Sequence, residues 1–527
     1  MLTLLTLLNR GGRAPAPCRS IGVSPVNRAR ALALAISVLS LSAATTASES
    51  GPAFSEAQGP WVDQRLPRSA PDAAMTEAWD NTLAGVYELA LNNDPMLAMA
   101  EASYRVGLEQ RKIARAALLP QANISYTDSD AYSKSRGQFA IGTFIVENAT
   151  NSGQDSDGYV ASLTQPLFDL NAWFTFRSGS ELTKQAKATF KQAQQDLIVR
   201  VSQAYFTVLR AAANLSAAQA QEAALKAQLE QVQQRFDVGL VAITDVYDAQ
   251  AAFDTAVADR LAFDAAKSVA LEALSVLTGQ SHAALWPLKD SFPVVDPTPE
   301  GVEAWLDFAH QYNVDLQVAE LGKDAALAGA RAAASAHLPR VSLALQRTVN
   351  DAETDQFNVV DDSAVLVPRE TDQNSIALNV TMPLFAGGRI SAQRREAYAR
   401  FDAQAMNLET TRRQVRQQTR AFYINVKRDV ARTRARAQAI KSTQAALDAA
   451  QTGYEVGTRN VVDVLIAQRA VYSAIRDHAN SIIDFVQDVI ALKRQTGTLT
   501  PGDMLTLNQW LTVPDAALAS TQSTLGR

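Results

Sequence analysis

Two hydrophobic periods alternate along this chain, seven residues in long stretches and two residues in short ones. In the stretch after residue 460, Ile475, Ile482 and Val489 share one heptad position. Val464, Val471, Phe485 and Leu492 share the partner position, with His478 interrupting. That spacing predicts antiparallel coiled-coil pairing across turns near Gly239 and Gly457. Helix breakers keep clear of these regions. No proline occurs between Pro166 and Pro287 or between Pro383 and Pro501, and no glycine from Ser180 to Val238 or from Arg389 to Thr452. At about 1.5 Å per residue each stretch makes a helix roughly 90 Å long.

Period-two runs lie ahead of the long helices. Ala122, Ile124 and Tyr126 alternate with polar residues, as do Tyr159, Ala161 and Leu163. Further on, Val341, Leu343 and Leu345 alternate in the same way, followed by Ile376, Leu378 and Val380. Such alternation predicts strands with one apolar face. The polar segments between them, Asp128–Ser156 and Asn350–Gln373, read as exposed loops.

These landmarks occur twice, offset by 217 to 219 residues. Leu119-Pro120 returns as Leu338-Pro339, and Pro166-Leu167-Phe168 as Pro383-Leu384-Phe385. Val238-Gly239 with Asp245-Val246 returns as Val456-Gly457 with Asp463-Val464, and Thr278-Gly279 as Thr496-Gly497. The chain is one unit written twice: helix, two short strands, long helix, turn, long helix. The first repeat covers 75–285, with a first helix from Met75 to Leu118 and strands within 121–165. The second covers 300–497, with a first helix from Glu300 to His337 and strands within 340–382. The proline-rich stretch 286–299 joins them, and 498–527 forms a C-terminal segment and tail. The fold class is mainly α with a small β part.

Four strands per chain cannot close on themselves. Inside lipid, open edges would leave backbone groups unpaired. If these strands enter a membrane, several copies must pool them; eight from a dimer and twelve from a trimer both satisfy the requirement.

Composition bears on where the chain goes. Arg28 and Arg30 precede the apolar run Ala31–Leu41, which small residues follow through Ala47. Residues 1–47 therefore read as a secretory signal, and 48–74, with four prolines, as a flexible mature N-terminus. The single cysteine, Cys18, lies ahead of the apolar run, so the mature chain is expected to have neither a disulfide nor a lipid anchor. Removing five arginines and no acid takes the formal net charge from −5 to −10. An acidic exported chain argues against a nucleic-acid partner, although thirteen bases fall between Arg389 and Arg436. Those bases read as a solvated helix face paired with acids on neighbouring helices.

Chemistry is hard to find. His282, His310, His337 and His478 are scattered, and dinucleotide, P-loop, HExxH and GxSxG patterns are absent. The chain reads as a non-enzyme without cofactor or metal.

The two turns carry a resemblance. Gln234-Arg235-Phe236-Asp237-Val238-Gly239-Leu240-Val241-Ala242-Ile243-Thr244-Asp245-Val246 resembles the first periplasmic turn of TolC-type outer-membrane efflux and secretion channels. Gly453-Tyr454-Glu455-Val456-Gly457-Thr458-Arg459-Asn460-Val461-Val462-Asp463-Val464-Leu465 is similar to the second. The likeness extends over nearly all of residues 80–513. It implies a homotrimer with a twelve-stranded β-barrel in outer-membrane lipid, and a coiled-coil α-barrel crossing the periplasm with a mixed belt around it, to which residues 498–527 contribute. It also implies docking to an inner-membrane pump of RND or ABC type through a periplasmic adaptor (a membrane fusion protein). By position, Tyr454 and Arg459 of an inner hairpin form gate links with Gln228, Thr244 and Asp245 of an outer one. Asp463 makes a pore-constriction ring, and Val238, Gly239, Leu240, Val456, Gly457 and Thr458 meet the adaptor. The family's second acidic ring falls on Ile466, so weaker cation selectivity is expected. Read from residues alone, the competing function is a soluble exported coiled-coil scaffold or adhesin.

Overall fold

The computed structural model describes residues 79–513, apart from residue 142 and residues 359–362. The signal and N-terminal assignments lie outside those residues.

The first repeat holds α1 (Leu83–Asn93), α2 (Pro95–Ala116), β1 (Gln121–Ile141), β2 (Phe144–Phe168), α3 (Leu170–Asp237) and α4 (Ile243–Thr278). The second holds α5 (Val302–Tyr312), α6 (Val314–Ser335), β3 (Arg340–Asn358), β4 (Ser363–Thr381), α7 (Arg389–Glu455) and α8 (Val461–Gln495), and α9 (Pro501–Asn508) follows. The duplication is therefore structural. The helices α1 and α5 are both 11 residues long, and α2 and α6 both 22. The long helices α3 and α7 run for 68 and 67 residues, about 100 Å each.

Two expectations need correction. The first helix of each repeat is broken, not continuous from Met75 to Leu118 or from Glu300 to His337. At Asp94 the backbone turns extended, its carboxylate accepts from the Leu97 amide at 3.0 Å, and Pro95 starts the next helix. At Asn313 the side chain accepts from the Leu316 amide at 2.9 Å. Each side chain satisfies an orphan donor, so a break costs less than it would elsewhere.

Most of the polar segments read as loops is strand, up to Ile141 and from Phe144 in the first and up to Asn358 and from Ser363 in the second. The β1–β2 ladder continues past Asp130 opposite Asp155 to Ile141 opposite Phe144, and β3–β4 runs through Asp351 opposite Glu370. Ladder hydrogen bonds belong to the backbone, so the strands persist where alternation fades.

The sheet order is β1-β2-β3-β4, all antiparallel, which leaves β1 and β4 each with a free edge. Ile124, Tyr126, Ile376, Leu378 and Val380 stand exposed on it. Among the described residues no helix is long and apolar enough to cross a membrane.

The densest core lies where the short helices meet the middle of α3 and the ends of α4 and α8. Leu83, Leu197, Ile198, Tyr205, Phe206, Leu274, Leu492, Leu499 and Met504 are fully buried there. Side-chain amides tie chain ends together: Asn313 Nδ2 donates to the Gln495 carbonyl at 2.7 Å, and Asn93 Nδ2 to that of Thr278 at 2.9 Å. Gly497, at φ 73°, lets the backbone pass Tyr312; a Cβ there would sit 2.0 Å from that residue's carbonyl oxygen.

Candidate functional site

The far ends of the long helices are built by the same turn used twice. After α3, Gly239 adopts φ 76° and its amide donates to the Phe236 carbonyl at 2.8 Å, while the Leu240 amide donates to that of Arg235 at 2.8 Å. After α7, Gly457 adopts φ 77°, its amide reaches the Tyr454 carbonyl at 3.2 Å, and the Thr458 amide reaches Gly453 at 2.8 Å. This Schellman pattern needs a left-handed residue, which glycine supplies without a Cβ penalty. It leaves Val238, Leu240 and Val456 exposed, with Thr458 beside them. Three apolar side chains thus stand in water at the helical tips.

Behind the tips, α3, α4, α7 and α8 share one apolar cluster containing Leu225, Val232, Val246, Ala450, Val461, Val464 and Val471. Tyr454 belongs to it, and Gln228 lies buried on α3 between Leu225 and Val232. The Tyr454 ring lies under the Arg235 guanidinium, 4.8 Å from ring centre to Cζ, and its hydroxyl is buried without a hydrogen-bond partner among the described residues. A buried, unsatisfied phenol costs on the order of 1–3 kcal/mol, so this group is poised for an acceptor.

Thr244 and Asp245 open α4, the latter half-buried in the first turn, where a carboxylate suits the helix dipole. Arg459 is exposed, its stem 3.0 Å from where a Gly453 Cβ would stand. Among the described residues of one chain, Arg459 forms no ion pair with Asp245. Gln228 and Tyr454 thus meet one cluster, whereas the Arg459 link is not made within a single copy. Asp463 is half-buried in the first turn of α8, its amide held by Asn460 Oδ1 at 2.9 Å, and Ile466 stands exposed one turn on.

Two features went unread in the sequence. Arg235 gave only the signal of a base in the last turn of a helix. The second is a charged junction joining α3, α7 and α8. Arg210 of α3 donates to Asp484 of α8 at 2.7 Å, and Arg432 of α7 to the same carboxylate at 2.5 Å. Wholly buried Asp429 takes Arg428 at 3.2 Å and Arg432 at 3.3 Å, and Asp488 lies 3.8 Å from Arg428. Burial, reinforced by the facing Asp429, pushes the Asp488 carboxyl up to about 6. Arg428 and Arg432, from the basic stretch expected to pair with acids on neighbouring helices, are junction partners. Among the described residues no His, Cys, Asp and Glu group is arranged to hold a metal.

Known proteins share this architecture. The family model described as "Outer membrane efflux protein" matches residues 86–280 and again 305–498, one match per repeat. Outer membrane protein TolC of Vibrio cholerae is 33% identical over 437 residues, covering 82% of this chain and 95% of the relative. TolC of Escherichia coli is 33% identical, covering 82% and 85%. Alkaline protease secretion protein AprF of Pseudomonas aeruginosa is 29% identical, covering 79% and 85%. Among solved structures, the outer membrane protein VceC of Vibrio cholerae superposes with TM-score 0.63 at 20% identity, covering 81% of this chain and 99% of that one. The channel OprN superposes with TM-score 0.64 at 21% identity, covering 83% and 98%. The family and the fold are those of channel proteins, not of enzymes, and with the twice-built hairpin tips and the open four-stranded sheet they place this chain in the outer membrane efflux protein family.

Proposed function

We infer that three copies of this chain form the outer-membrane exit duct of a tripartite efflux or type I secretion system. The observation that carries the reading is the sheet: four strands with two open edges and exposed apolar side chains, set on helices about 100 Å long. Twelve pooled strands close a barrel that a single copy leaves open. The long helices carry the lumen away from the bilayer into the periplasm. At their tips, Val238, Gly239, Leu240, Val456, Gly457 and Thr458 meet a periplasmic adaptor, which couples the duct to an RND or ABC pump in the inner membrane. Substrate passes by diffusion, the energy coming from the pump.

The gate closes when Tyr454 and Arg459 of the inner hairpin link to Gln228, Thr244 and Asp245 of an outer one; Gln228 and Tyr454 share a cluster within one copy, and the Arg459 link is made across copies. The Tyr454 hydroxyl, without a partner among the described residues, and the exposed Arg459 supply the donors. Asp463 rings the constriction. The relatives' names, which include protease secretion and efflux, support both kinds of cargo.

The test is fractionation with light scattering in detergent, followed by bilayer recording. Outer-membrane recovery, a trimer mass and single-channel steps are expected. A water-soluble monomer without channel activity would refute the assignment.

A further inference from the structure

The upper part of α3 has a neighbour on each side within its own chain. Against α2, Thr183 Oγ1 donates to the Gly107 carbonyl at 2.9 Å, and a Cβ on Gly179 would sit 2.8 Å from the Ala114 methyl. Against α6, Asn171 donates to the Ala332 carbonyl at 2.7 Å and Ser178 to that of Ala325 at 3.0 Å. At 3.6 residues per turn these two sets of contacts lie roughly 110° apart around α3, so the three helices form a bent wall. Thr175 and Leu182 lie on its concave side, between the flanks, and Trp173, Arg177 and Lys184 on its convex side; all five are exposed. In the duct the concave side is the lumen and the convex side the outer surface.

The convex side carries a compact group just below the sheet. Trp173 and Phe176 have ring centres 5.9 Å apart, and the Arg111 guanidinium of α2 lies over Phe176, 5.8 Å from its centre. Arg115 follows Arg111 one turn nearer the sheet, in the last turn of α2, and Arg177 is next to Phe176 in the chain. Trp173 is 47% exposed, and the three arginines are exposed as well. Nearby acids are taken: Glu109 pairs with Lys112 and Glu181 with Lys184. Among the described residues Arg111, Arg115 and Arg177 have no carboxylate partner. The duplication shows that the wall itself does not need this group. At the offset of 219 between the two 22-residue helices, Arg111 and Arg115 become Ala330 and Ala334, and the first two turns of α7 hold no aromatic residue.

Depth sets the group at a bilayer boundary. β2 ends at Phe168, and Leu163, Leu167 and Phe168 stand exposed at that end of the strand. Trp173 and Arg177 come three and seven residues after the start of α3 at Leu170, about 5 and 10 Å along its axis. A headgroup layer is of that thickness, with apolar strand on one side of it and water on the other. Indole favours this boundary, and a guanidinium pairs bidentately with phosphate. We propose that Arg111, Arg115 and Arg177, with Trp173 and Phe176, hold the phosphate headgroup of an anionic phospholipid in the leaflet facing the periplasm. This deepens the duct reading and rests on it, since that reading sets the sheet in the outer membrane. Three bases without acids favour a lipid of net negative charge over a zwitterionic one, whose ammonium would meet the same guanidinium groups.

Tryptophan quenching by brominated lipids tests the site in the assembled protein. Protein expressed from the full chain is purified from outer membranes and reconstituted in phosphatidylcholine vesicles that carry brominated phosphatidylglycerol or brominated phosphatidylcholine. Half-maximal quenching is expected at a fraction of the anionic lipid smaller by on the order of tenfold. Trp173→Phe is expected to remove that difference. So is Arg111→Gln combined with Arg177→Gln, with trimer mass and single-channel steps retained. Equal quenching by the two lipids in the parent would overturn the proposal, as would a preference that survives in the double arginine variant. Loss of the preference in inorganic phosphate, but not in chloride of equal ionic strength, would assign a free-anion site and overturn it too. In each of those cases a trimer mass with channel steps leaves the duct standing, whereas a monomer without steps removes both readings together.

Discussion

Asp94 does two things with one carboxylate. It caps α2 through the Leu97 amide and takes Arg200 of α3 at 2.5 Å, at a site where its side chain is almost fully buried. Burial works against the charge, but Arg200 and the Leu97 amide outweigh it and hold the carboxyl below its usual value. A depressed folded value means stabilisation that is complete above the unfolded value near 3.9 and fades as pH falls below it. Asp94→Ala is expected to cost about 2 kcal/mol at neutral pH, losing a cap and stranding Arg200, measured by chemical denaturation. The loss should shrink toward pH 3. An unchanged midpoint would show that the break between α1 and α2 holds without its cap. The Asp94-Pro95 pair was a legible boundary signal, proline suiting the first helical position, although the helix expected from Met75 to Leu118 ran through it. Asn313 was not, since its partner is the apolar Val314 and its second anchor, the Gln495 carbonyl, is distant in sequence.

The junction of α3, α7 and α8 is a property of elements. Each helix contributes a charge that is tolerable alone, and only their convergence buries Asp429 beside Asp488. With the Asp488 carboxyl raised to about 6, the folded chain binds more protons than the unfolded one between roughly pH 4 and 6. The Asp488 contribution to stability therefore falls as pH rises through that window and levels off above it. Asp488→Asn should remove this decline, leaving the variant more stable than the parent by on the order of 1 kcal/mol at pH 7.5 and no more stable at pH 4. Thermal melts at the two pH values check the sign; a variant advantage that does not grow from pH 4 to pH 7.5 would contradict it. Heptads on α8 were readable, and Val464, Val471, Phe485 and Leu492 are buried. The junction was not, because heptads rank hydrophobic positions and are silent on which polar ones face each other across three helices. Strand length was misjudged for a related reason, since polarity reports environment and not backbone pairing.

At the scale of the whole molecule, the proposed gate depends in part on contacts a single copy does not make. Links of about 1 kcal/mol or less, repeated three times, are enough to set a closed population. Tyr454→Phe combined with Arg459→Ala is expected to raise open-channel conductance on the order of tenfold in bilayers. Unaltered conductance would remove these residues from the gate while leaving the duct. Ile466→Asp should strengthen block by multivalent cations by adding a second carboxylate ring near Asp463. Equal block in parent and variant would show that Ile466 does not face the lumen.

What the sequence alone determined is periodic and local: the duplication, the long breaker-free helices, the glycine turns and the incomplete sheet. Each is set by neighbours a few residues apart, or by repetition that any reader of the chain can see. Only the tertiary structure decided the capped breaks at Asp94 and Asn313, the reach of the strands through polar sequence, the buried carboxylate of Asp429 on α7 beside half-buried Asp488 on α8, and which apolar side chains stay bare. Those depend on which surfaces meet, and burial is a relation between segments hundreds of residues apart that no single segment encodes.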